Sequence, residues 1–416
     1  MKSLGIIVNK EKETSNRDSQ TIKDSFLDKK IDRTGLSTIK NHKSLINKML
    51  KQDYFEDSIS LWVSEMDFPI ASEIIEAINI RVSKNVLGYT AFNSTYYKSV
   101  IDWLRERNKI TVDKNWLLFS FGTMTALRNA LRSLTIEKDG IIIQPPVFSE
   151  FGKVIENTGR NIIENNLIYK DGNYSIDFED FARKASDPKT TMFIICNPHN
   201  PIGEVWSKEN LERLIKISNE NNLIIFSDEV HADLVRKSTT YESLLNIKGS
   251  DNVIVASSLS KSFSLTGLQA TNLIIKNKII RSTFERYSGH SSISPIVLEA
   301  TIAAYTKAEY WLDAVIHRID CNFKYMKKYI DEFIPSIKFE IPKGTYLAWV
   351  DISGLNIQEE DFLKKLSFEG KLVVEGGSIF GITGEGFLRI SVATHLETLT
   401  EALKRLERVI NRINRK

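Results

Sequence analysis

The segment SLSKSFSLTGLQ, residues 258–269, places one lysine, Lys261, among small hydroxyl-bearing residues. It follows the apolar run 253–256 after one residue, Ser257, and such a run is typical of a buried strand. A lysine held rigidly at the end of a strand can form an imine with an aldehyde, and hydroxyls close to it can bind a phosphate. Segments of this composition are also common solvent-exposed turns, so the meaning of the loop depends on what the rest of the chain supplies.

Length and composition describe an ordinary globular protein. The chain has 416 residues, of which 42% are hydrophobic and 26% charged, and its formal net charge is +3. This length suits one large domain and a smaller one. Lysines and arginines are interleaved with acids, so the charge pattern does not indicate nucleic acid as a partner. No apolar run reaches the length of about 18 residues that a membrane span needs.

The cysteine content and the N-terminal residues give expectations about the cellular location of the protein and about the structural order of its N-terminal part. Cys196 and Cys321 are too few for a disulfide framework or a zinc cluster, and we expect a cytoplasmic protein without a metal site. The apolar run within residues 1–8 is too short for a signal peptide. Residues 9–34 are dominated by polar and charged types, so we expect residues 1–34 to form a poorly ordered arm.

Short apolar runs alternate with helical patterns through the middle of the chain. The runs are 140–143, 192–195, 223–226, 253–255 and 273–275. Continuous β-branched runs of this kind indicate strands buried on both faces of a mostly parallel sheet. Between two of them, Ser207 predicts the N-cap of a helix with Leu211, Leu214 and Ile215 on its apolar face. The chain therefore predicts an α/β fold.

Polar residues follow three of these runs, at the point where each predicted strand ends. They include Asn200, the pair Asp228 and His231, and Lys261. The carboxyl ends of parallel strands meet at one edge of a sheet, where ligands bind. An aspartate can keep a pyridine nitrogen protonated, and Asn or His can bond a phenolic oxygen. These are the groups that a pyridoxal ring requires.

A phosphate site is predicted from two other parts of the chain. Gly122 is followed by a predicted helix start at Thr123 and Met124, whose free backbone N–H groups can bind an anion. Ser258 and Ser260 can add hydroxyl donors from the other side. The five residues together are candidates for binding a cofactor phosphate.

Eight short motifs occur in order along the chain. They are WVSEMDFP (62–69), GYT (88–90), QPPVF (144–148), NPHNPIGEVW (197–206), SDEVHAD (227–233), SKSF (260–263) with GLQ (267–269), GTYLAW (344–349) and LRI (388–390). In this order they resemble the motifs of class I/II aminotransferase-fold enzymes that use pyridoxal phosphate. More narrowly, they resemble the MalY/PatB branch, which is cystathionine β-lyase-like. The ordered set is far more specific than any single motif.

The resemblance implies the architecture called fold type I. In this fold a large domain holds a mostly parallel seven-stranded sheet between helices, and a smaller α/β domain is built from both termini. We expect residues 35–65 to be the N-terminal part of the small domain, 66–300 the large cofactor-binding domain and 301–416 the C-terminal small domain. The resemblance also implies a homodimer with shared active sites.

The resemblance further implies roles for single residues. Lys261 would hold the cofactor and later remove the Cα proton of the substrate. Asp228 would pair with the ring nitrogen, and Asn200, with His231 close by, would face the phenolic oxygen. Phe148 stands where this group has an aromatic residue stacked on the cofactor ring.

Three more positions carry information about binding and specificity. Tyr89 resembles the tyrosine that reaches the cofactor phosphate of the neighbouring subunit. Arg389 resembles the arginine that binds the substrate α-carboxylate, for which its two-donor fork is suited. Gln269 lies eight residues after Lys261, where many aminotransferases of this class have arginine. The MalY/PatB branch has glutamine there, which favours that branch.

The activity expected from the resemblance is β-elimination on a small amino acid substrate. Cystathionine, cysteine or a cysteine S-conjugate would give a thiol, ammonia and pyruvate. Transamination of an amino acid is the alternative, because it uses the same lysine and cofactor. A lesser alternative is a regulatory or binding protein that retains the fold.

Overall fold

A computed structural model of the chain describes residues 25–289 and 292–414. Its strands, in chain order, are β1 (Ile59–Ser60), β2 (Leu117–Phe121), β3 (Gly140–Ile143), β4 (Asn161–Glu164), β5 (Ile168–Lys170), β6 (Asn173–Ser175), β7 (Thr190–Cys196), β8 (Ile224–Asp228), β9 (Val253–Ser257), β10 (Ala270–Ile275), β11 (Lys338–Phe339), β12 (Leu347–Asp351), β13 (Leu372–Val373), β14 (Glu375–Gly376) and β15 (Phe387–Ser391).

The α helices in chain order are α1 (Lys43–Leu50), α2 (Ser72–Ser83), α3 (Ser94–Glu106), α4 (Thr123–Leu134), α5 (Glu150–Asn157), α6 (Phe178–Ala185), α7 (Lys208–Glu220), α8 (Leu259–Ser262), α9 (Lys278–Ser288), α10 (Pro295–Lys307), α11 (Glu309–Phe333), α12 (Glu359–Phe368) and α13 (Leu396–Ile413). Ser207 caps α7 as the sequence predicts, because its hydroxyl oxygen accepts the N–H of Asn210 at 3.2 Å. In the described part of the chain, no helix combines the length and apolar character needed to cross a membrane.

The central sheet has seven strands in the order β2-β10-β9-β8-β7-β3-β4. The strands from β9 to β4 run parallel, and β10 is antiparallel to both of its neighbours. All five apolar runs fall in this sheet, in β3, β7, β8, β9 and β10. The prediction of a mostly parallel seven-stranded sheet is therefore confirmed.

Side chains of the central strands are buried on both faces of the sheet. Along β7, Phe193 and Ile195 pack into one apolar core, whereas Met192 and Ile194 pack into the core on the opposite face. Neighbouring side chains of a strand point to opposite faces, so a strand covered on both sides must be apolar throughout. This is why the strand appears in the sequence as an unbroken apolar run.

A second, antiparallel sheet has the order β11-β12-β15-β14. Close to it, β1 pairs in parallel with β13, with Ile59 opposite Leu372. This pairing joins a segment from the N-terminal part of the chain to one from the C-terminal part, as a small domain built from both termini requires. The domain boundaries expected at 35, 66 and 301 stay a prediction.

The expected N-terminal arm falls mainly on residues 1–24, which lie outside the described residues. Its remaining part differs from a free arm. The side chain of Leu27 is fully buried in the apolar core, and Arg33 donates a 2.9 Å hydrogen bond to the carbonyl of Met66. One leucine and one arginine among polar residues give no periodic signal, so the sequence did not indicate that residues 25–34 are packed.

Candidate active site

The loops after β7, β8 and β9 begin side by side at the carboxyl edge of the central sheet. In the register of these strands, Cys196 lies opposite Asp228, and Asp228 lies opposite Ala256. The N–H of Asn197 donates to the backbone carbonyl of Asp228 at 3.0 Å. The structure therefore brings the three polar loops that were singled out in the sequence to one edge.

Lys261 lies on the short helix α8, directly after β9. Ser258 caps this helix, because its hydroxyl oxygen accepts the N–H of Ser260 at 3.1 Å. The same hydroxyl donates to the carbonyl of Ala270 at 2.6 Å, which fixes the turn against β10. The Nζ of Lys261 then reaches the carbonyl of Ser64 at 3.0 Å. The amine is thus held in place from both ends of its side chain.

Burial lowers the pKa of Lys261 to about 8, and the positive charge of Arg389 acts in the same direction. The negative charge of Asp228 opposes the shift. A lysine with this pKa has a larger neutral fraction near neutral pH than an exposed lysine. The neutral amine is the form that attacks a carbonyl carbon or accepts a proton.

Asp228 ends β8 with its side chain buried. Burial raises the pKa of this carboxyl to about 7, while the N–H of Val230, at 3.3 Å from Oδ1, and the charge of Lys261 act to lower it. A buried carboxylate of this kind is stabilised by a cation placed beside it. A protonated ring nitrogen would be such a cation.

His231 is buried beside the same group, and its ring contacts that of Tyr346 edge-on, with centroids 5.9 Å apart. Burial and the positive charges of Lys261 and Arg389 hold the pKa of His231 well below its usual range, so the imidazole is neutral. Its Nδ1 is buried without a hydrogen-bond partner among the described residues. A buried nitrogen of this kind is suited to bonding a ligand atom.

Arg389 projects from β15 into the site and is almost fully buried. Its Nη1 donates to Oδ1 of Asn200 at 3.0 Å, and its Nη2 donates to the carbonyl of Trp62 at 3.1 Å. The guanidinium also forms an ion pair with Glu375 and lies over the ring of Phe380, 4.8 Å from its centroid. The structure therefore bonds the side-chain oxygen of Asn200 to Arg389.

The residues predicted to bind a phosphate lie around the start of α4. Gly122 precedes this helix with φ at +87°, a conformation that glycine adopts without strain. The hydroxyl of Thr123 lies 3.0 Å from that of Thr271 on β10, and those of Ser258 and Ser260 are 2.9 Å apart. A helix N-terminus with hydroxyls close to it is suited to a phosphate group.

Gln269 lies next to this turn. A Cβ atom built on Gly122 would lie 3.7 Å from the Cβ of Gln269. The residue directly before β10 therefore borders the start of α4, where a side chain can contribute to anion binding. At this position, the MalY/PatB branch is expected to have glutamine and many other aminotransferases of the class are expected to have arginine.

Three other predicted site residues differ in how exposed their side chains are. Phe148 is half-buried in the loop after β3, and its ring contacts Phe151 edge-on, with centroids 5.7 Å apart. Met124 is half-buried against the apolar core on one face of the sheet. Tyr89 is fully exposed.

Two contacts of the site were missed in the sequence. Ser64 takes part through its backbone carbonyl, which no side-chain pattern reveals. Glu375 pairs with Arg389 across β14 and β15. The sequence contained a pattern that could have identified Glu375. It is an acidic residue that directly follows the apolar residues 372–374 and directly precedes two glycines.

Two related proteins align in sequence with most of the chain. Cystathionine beta-lyase PatB of Bacillus subtilis (strain 168) is 34% identical over 361 residues, covering 85% of this chain and 93% of the relative. Protein MalY of Escherichia coli (strain K12) is 28% identical over 340 residues, covering 80% and 87%. These similarities confirm the predicted resemblance to the MalY/PatB branch.

The fold is also similar to that of a solved enzyme. The crystal structure of the PLP-bound C-S lyase from Staphylococcus hominis matches with a TM-score of 0.87 and 30% identity, covering 92% of this chain and 97% of that one. The family model for aminotransferase class I and II matches residues 56–406. The chain therefore belongs to the aminotransferase class I and II family.

Proposed function

We propose that the protein is a pyridoxal-phosphate-dependent carbon–sulfur β-lyase. Its substrates would be cystathionine, cysteine or a cysteine S-conjugate, and its products a thiol, ammonia and pyruvate. The observation that carries the proposal is the convergence of Lys261, Asp228 and Arg389 in one site, where Asp228 and Arg389 are buried. The names of PatB and of the Staphylococcus hominis enzyme support the type of reaction.

The residues of the site fit pyridoxal phosphate. Lys261 offers an amine of lowered pKa to the aldehyde, and Asp228 offers a buried carboxylate to the ring nitrogen. The start of α4, with the hydroxyls around it, offers donors to the phosphate. The unpartnered Nδ1 of His231 is a buried polar atom that a ligand in this space would satisfy.

Each residue would have a distinct part in the reaction. When bound, the cofactor supplies an electron sink for the charge that develops at Cα of the substrate. Lys261 would accept the Cα proton at Nζ, because its lowered pKa leaves a fraction of the amine neutral near neutral pH. Arg389 would hold the α-carboxylate and so fix the direction of the Cα–H bond. Asp228 would stabilise a proton on the ring nitrogen through its negative charge.

The decisive experiment is incubation of the purified, cofactor-loaded protein with cystathionine and with S-substituted cysteines. We expect equal molar amounts of thiol and pyruvate, because breaking the Cβ–S bond releases the thiol and hydrolysis of the remaining three-carbon fragment releases ammonia and pyruvate from the same substrate molecule. Lys278→Ala, at an exposed lysine beyond β10, is a control that should retain the activity. Amino-group transfer to an added 2-oxo acid without thiol release would instead establish the aminotransferase alternative.

The aminotransferase alternative rests on the same lysine, aspartate and arginine, and on the family to which the chain belongs. The third possibility, a binding protein that retains the fold, requires no chemistry. An optical test separates it from both enzymes. Borohydride should abolish the absorbance band of the bound cofactor, and Lys261→Ala should lack that band. A wild-type protein that cannot be loaded with the cofactor would contradict an enzymatic function.

We also propose that the active form is a homodimer. Tyr89 is fully exposed and follows two exposed apolar residues, Val86 and Leu87. Exposed apolar side chains also occur on α2, at Ile80 and Val82. Surfaces that carry several exposed apolar side chains are typical of protein interfaces. Burial of this surface would let Tyr89 reach the site of the partner subunit. A cytoplasmic location stays a prediction.

A further inference from the structure

The hydrogen-bond donors of Arg389 are unevenly used. One hydrogen of Nη1 bonds the amide oxygen of Asn200. Nη2 donates to the carbonyl of Trp62 and faces the carboxylate of Glu375. Nε is buried and has no partner among the described residues. The guanidinium is therefore held in place, and its Nη2 is the most crowded of its three nitrogens.

This crowding matters for the binding of a carboxylate. A guanidinium can form two parallel hydrogen bonds along either of two edges, one made by Nη1 and Nη2 and the other by Nε and Nη2. Both edges require a hydrogen of Nη2. In the structure Nη2 donates to the carbonyl of Trp62 and forms an ion pair with the carboxylate of Glu375. A substrate carboxylate can bind with two bonds only if one of these two partners gives way.

We propose that Glu375 occupies the position on Arg389 that the substrate α-carboxylate takes, so that binding exchanges one carboxylate for another. Glu375 would thus be a positioning residue that holds the guanidinium ready and sets its affinity for carboxylates. This inference rests on the proposed function, because it assigns Arg389 to the substrate carboxylate. Glu375 is the partner that would give way, since it is a side chain and the other partner is a backbone carbonyl.

The surroundings of Glu375 support such an exchange. Glu375 and Arg389 lie opposite each other on β14 and β15, so the pair forms across neighbouring strands. The positive charges of Lys261 and Lys153 also act on Glu375, and they favour its charged form after it leaves the guanidinium. Burial acts in the opposite direction and raises its pKa. A carboxylate with a second set of cations close to it can move away from the first at a smaller cost.

The test is the affinity of the cofactor-loaded protein for L-alanine, which has the α-carboxylate but no leaving group. Binding would be followed by the change in absorbance of the cofactor. Glu375→Gln removes the competing charge but keeps an oxygen acceptor for Nη2. We expect its Kd for L-alanine to fall about tenfold, the equivalent of one charge-assisted hydrogen bond. The Kd for ethylamine, the same ligand without its carboxylate, should not fall.

Glu385→Gln is the matched control, because Glu385 is an exposed acid ten residues further along the chain. It should leave both dissociation constants unchanged. If Glu375→Gln does not fold, Glu375→Asp shortens the side chain and should lower the Kd for L-alanine in the same direction. An unchanged or higher Kd for L-alanine in the folded variant would overturn the proposal. None of these measurements requires β-elimination, so failure of the lyase assay and failure of the exchange are distinguishable.

Discussion

The hydroxyl of Ser262 donates a 2.6 Å hydrogen bond to Oδ2 of Asp233, and this bond ties the residue after Lys261 to the loop after β8. Asp233 also accepts from Nε1 of Trp103 at 3.2 Å and from Nδ2 of Asn108 at 3.0 Å. The carboxylate thus joins α3, the loop after β8 and α8. The turn that carries the lysine is fixed by this cluster as well as by its own cap.

Replacement of Ser262 by alanine should therefore destabilise the fold. The change leaves Asp233 with its two other donors but removes one charge-assisted hydrogen bond in a buried place. We expect the free energy of unfolding to fall by about 1–3 kcal/mol. Urea denaturation of the cofactor-free protein measures this. Ser282→Ala, at an exposed serine on α9, is the control and should change stability by less than about 0.5 kcal/mol. Equal effects of the two changes would contradict a special role for the Ser262 bond.

Asp228 should give the cofactor-free protein a distinct dependence on pH. Its pKa in the folded protein, about 7, lies above the ordinary value of 3.8. The folded state therefore binds more protons than the unfolded chain between these values, and the contribution of Asp228 to stability falls as pH rises from about 4 to 7. Asp228→Asn removes this contribution. At pH 8 the variant should exceed the wild type in free energy of unfolding by about 2–4 kcal/mol.

The difference in free energy of unfolding between wild type and Asp228→Asn reports on Asp228 alone, because other groups that titrate in the same pH range are present in both proteins. Near pH 4 the carboxyl of the folded wild type is protonated, so the two unfolding free energies should agree. Chemical denaturation at several pH values measures both. A difference that stays constant from pH 4 to pH 8 would contradict the raised pKa.

Shared active sites can be tested with hybrid dimers. Lys261→Ala removes the lysine from one subunit, and Tyr89→Phe removes the tyrosine hydroxyl from the other. If Tyr89 serves the partner's site, a hybrid dimer has one site with both groups intact. Random mixing should then restore about a quarter of the wild-type rate per site, from two variants that are each impaired. Thiol release after unfolding and refolding of the mixture measures this. No recovery would show that each site is built within one chain.

The sequence revealed the central strands because their environment is simple. A strand covered on both faces must be apolar throughout, and β3, β7, β8, β9 and β10 all show this. The edge strands β2 and β4 were not singled out. In β4 the outer residues Asn161 and Glu164 are exposed, so its pattern is mixed. The burial of Leu27 was not predicted for a similar reason, because a single buried side chain produces no hydrophobic periodicity in the sequence.

The sequence predicted which residues form the site, but it did not predict their hydrogen-bond partners. Asp228 and Lys261 follow apolar runs, and parallel strands bring such positions together. The bond from Arg389 to Asn200 joins residues 189 positions apart, and the bond from Lys261 to Ser64 uses a backbone carbonyl. Neither contact leaves a local pattern, because each joins residues that are far apart in the sequence.

The position of Gln269 beside Gly122 predicts the effect of an arginine there. Gln269 is exposed and borders the start of α4, so Gln269→Arg would add a positive charge where a phosphate is expected to bind. The Kd for pyridoxal phosphate should fall about tenfold, because a charge-assisted bond replaces a neutral one. Absorbance titration of the cofactor-free protein measures it. Gln358→Arg, at an exposed glutamine before α12, is the control and should have no effect. Equal Kd values for Gln269→Arg and wild type would place the phosphate elsewhere.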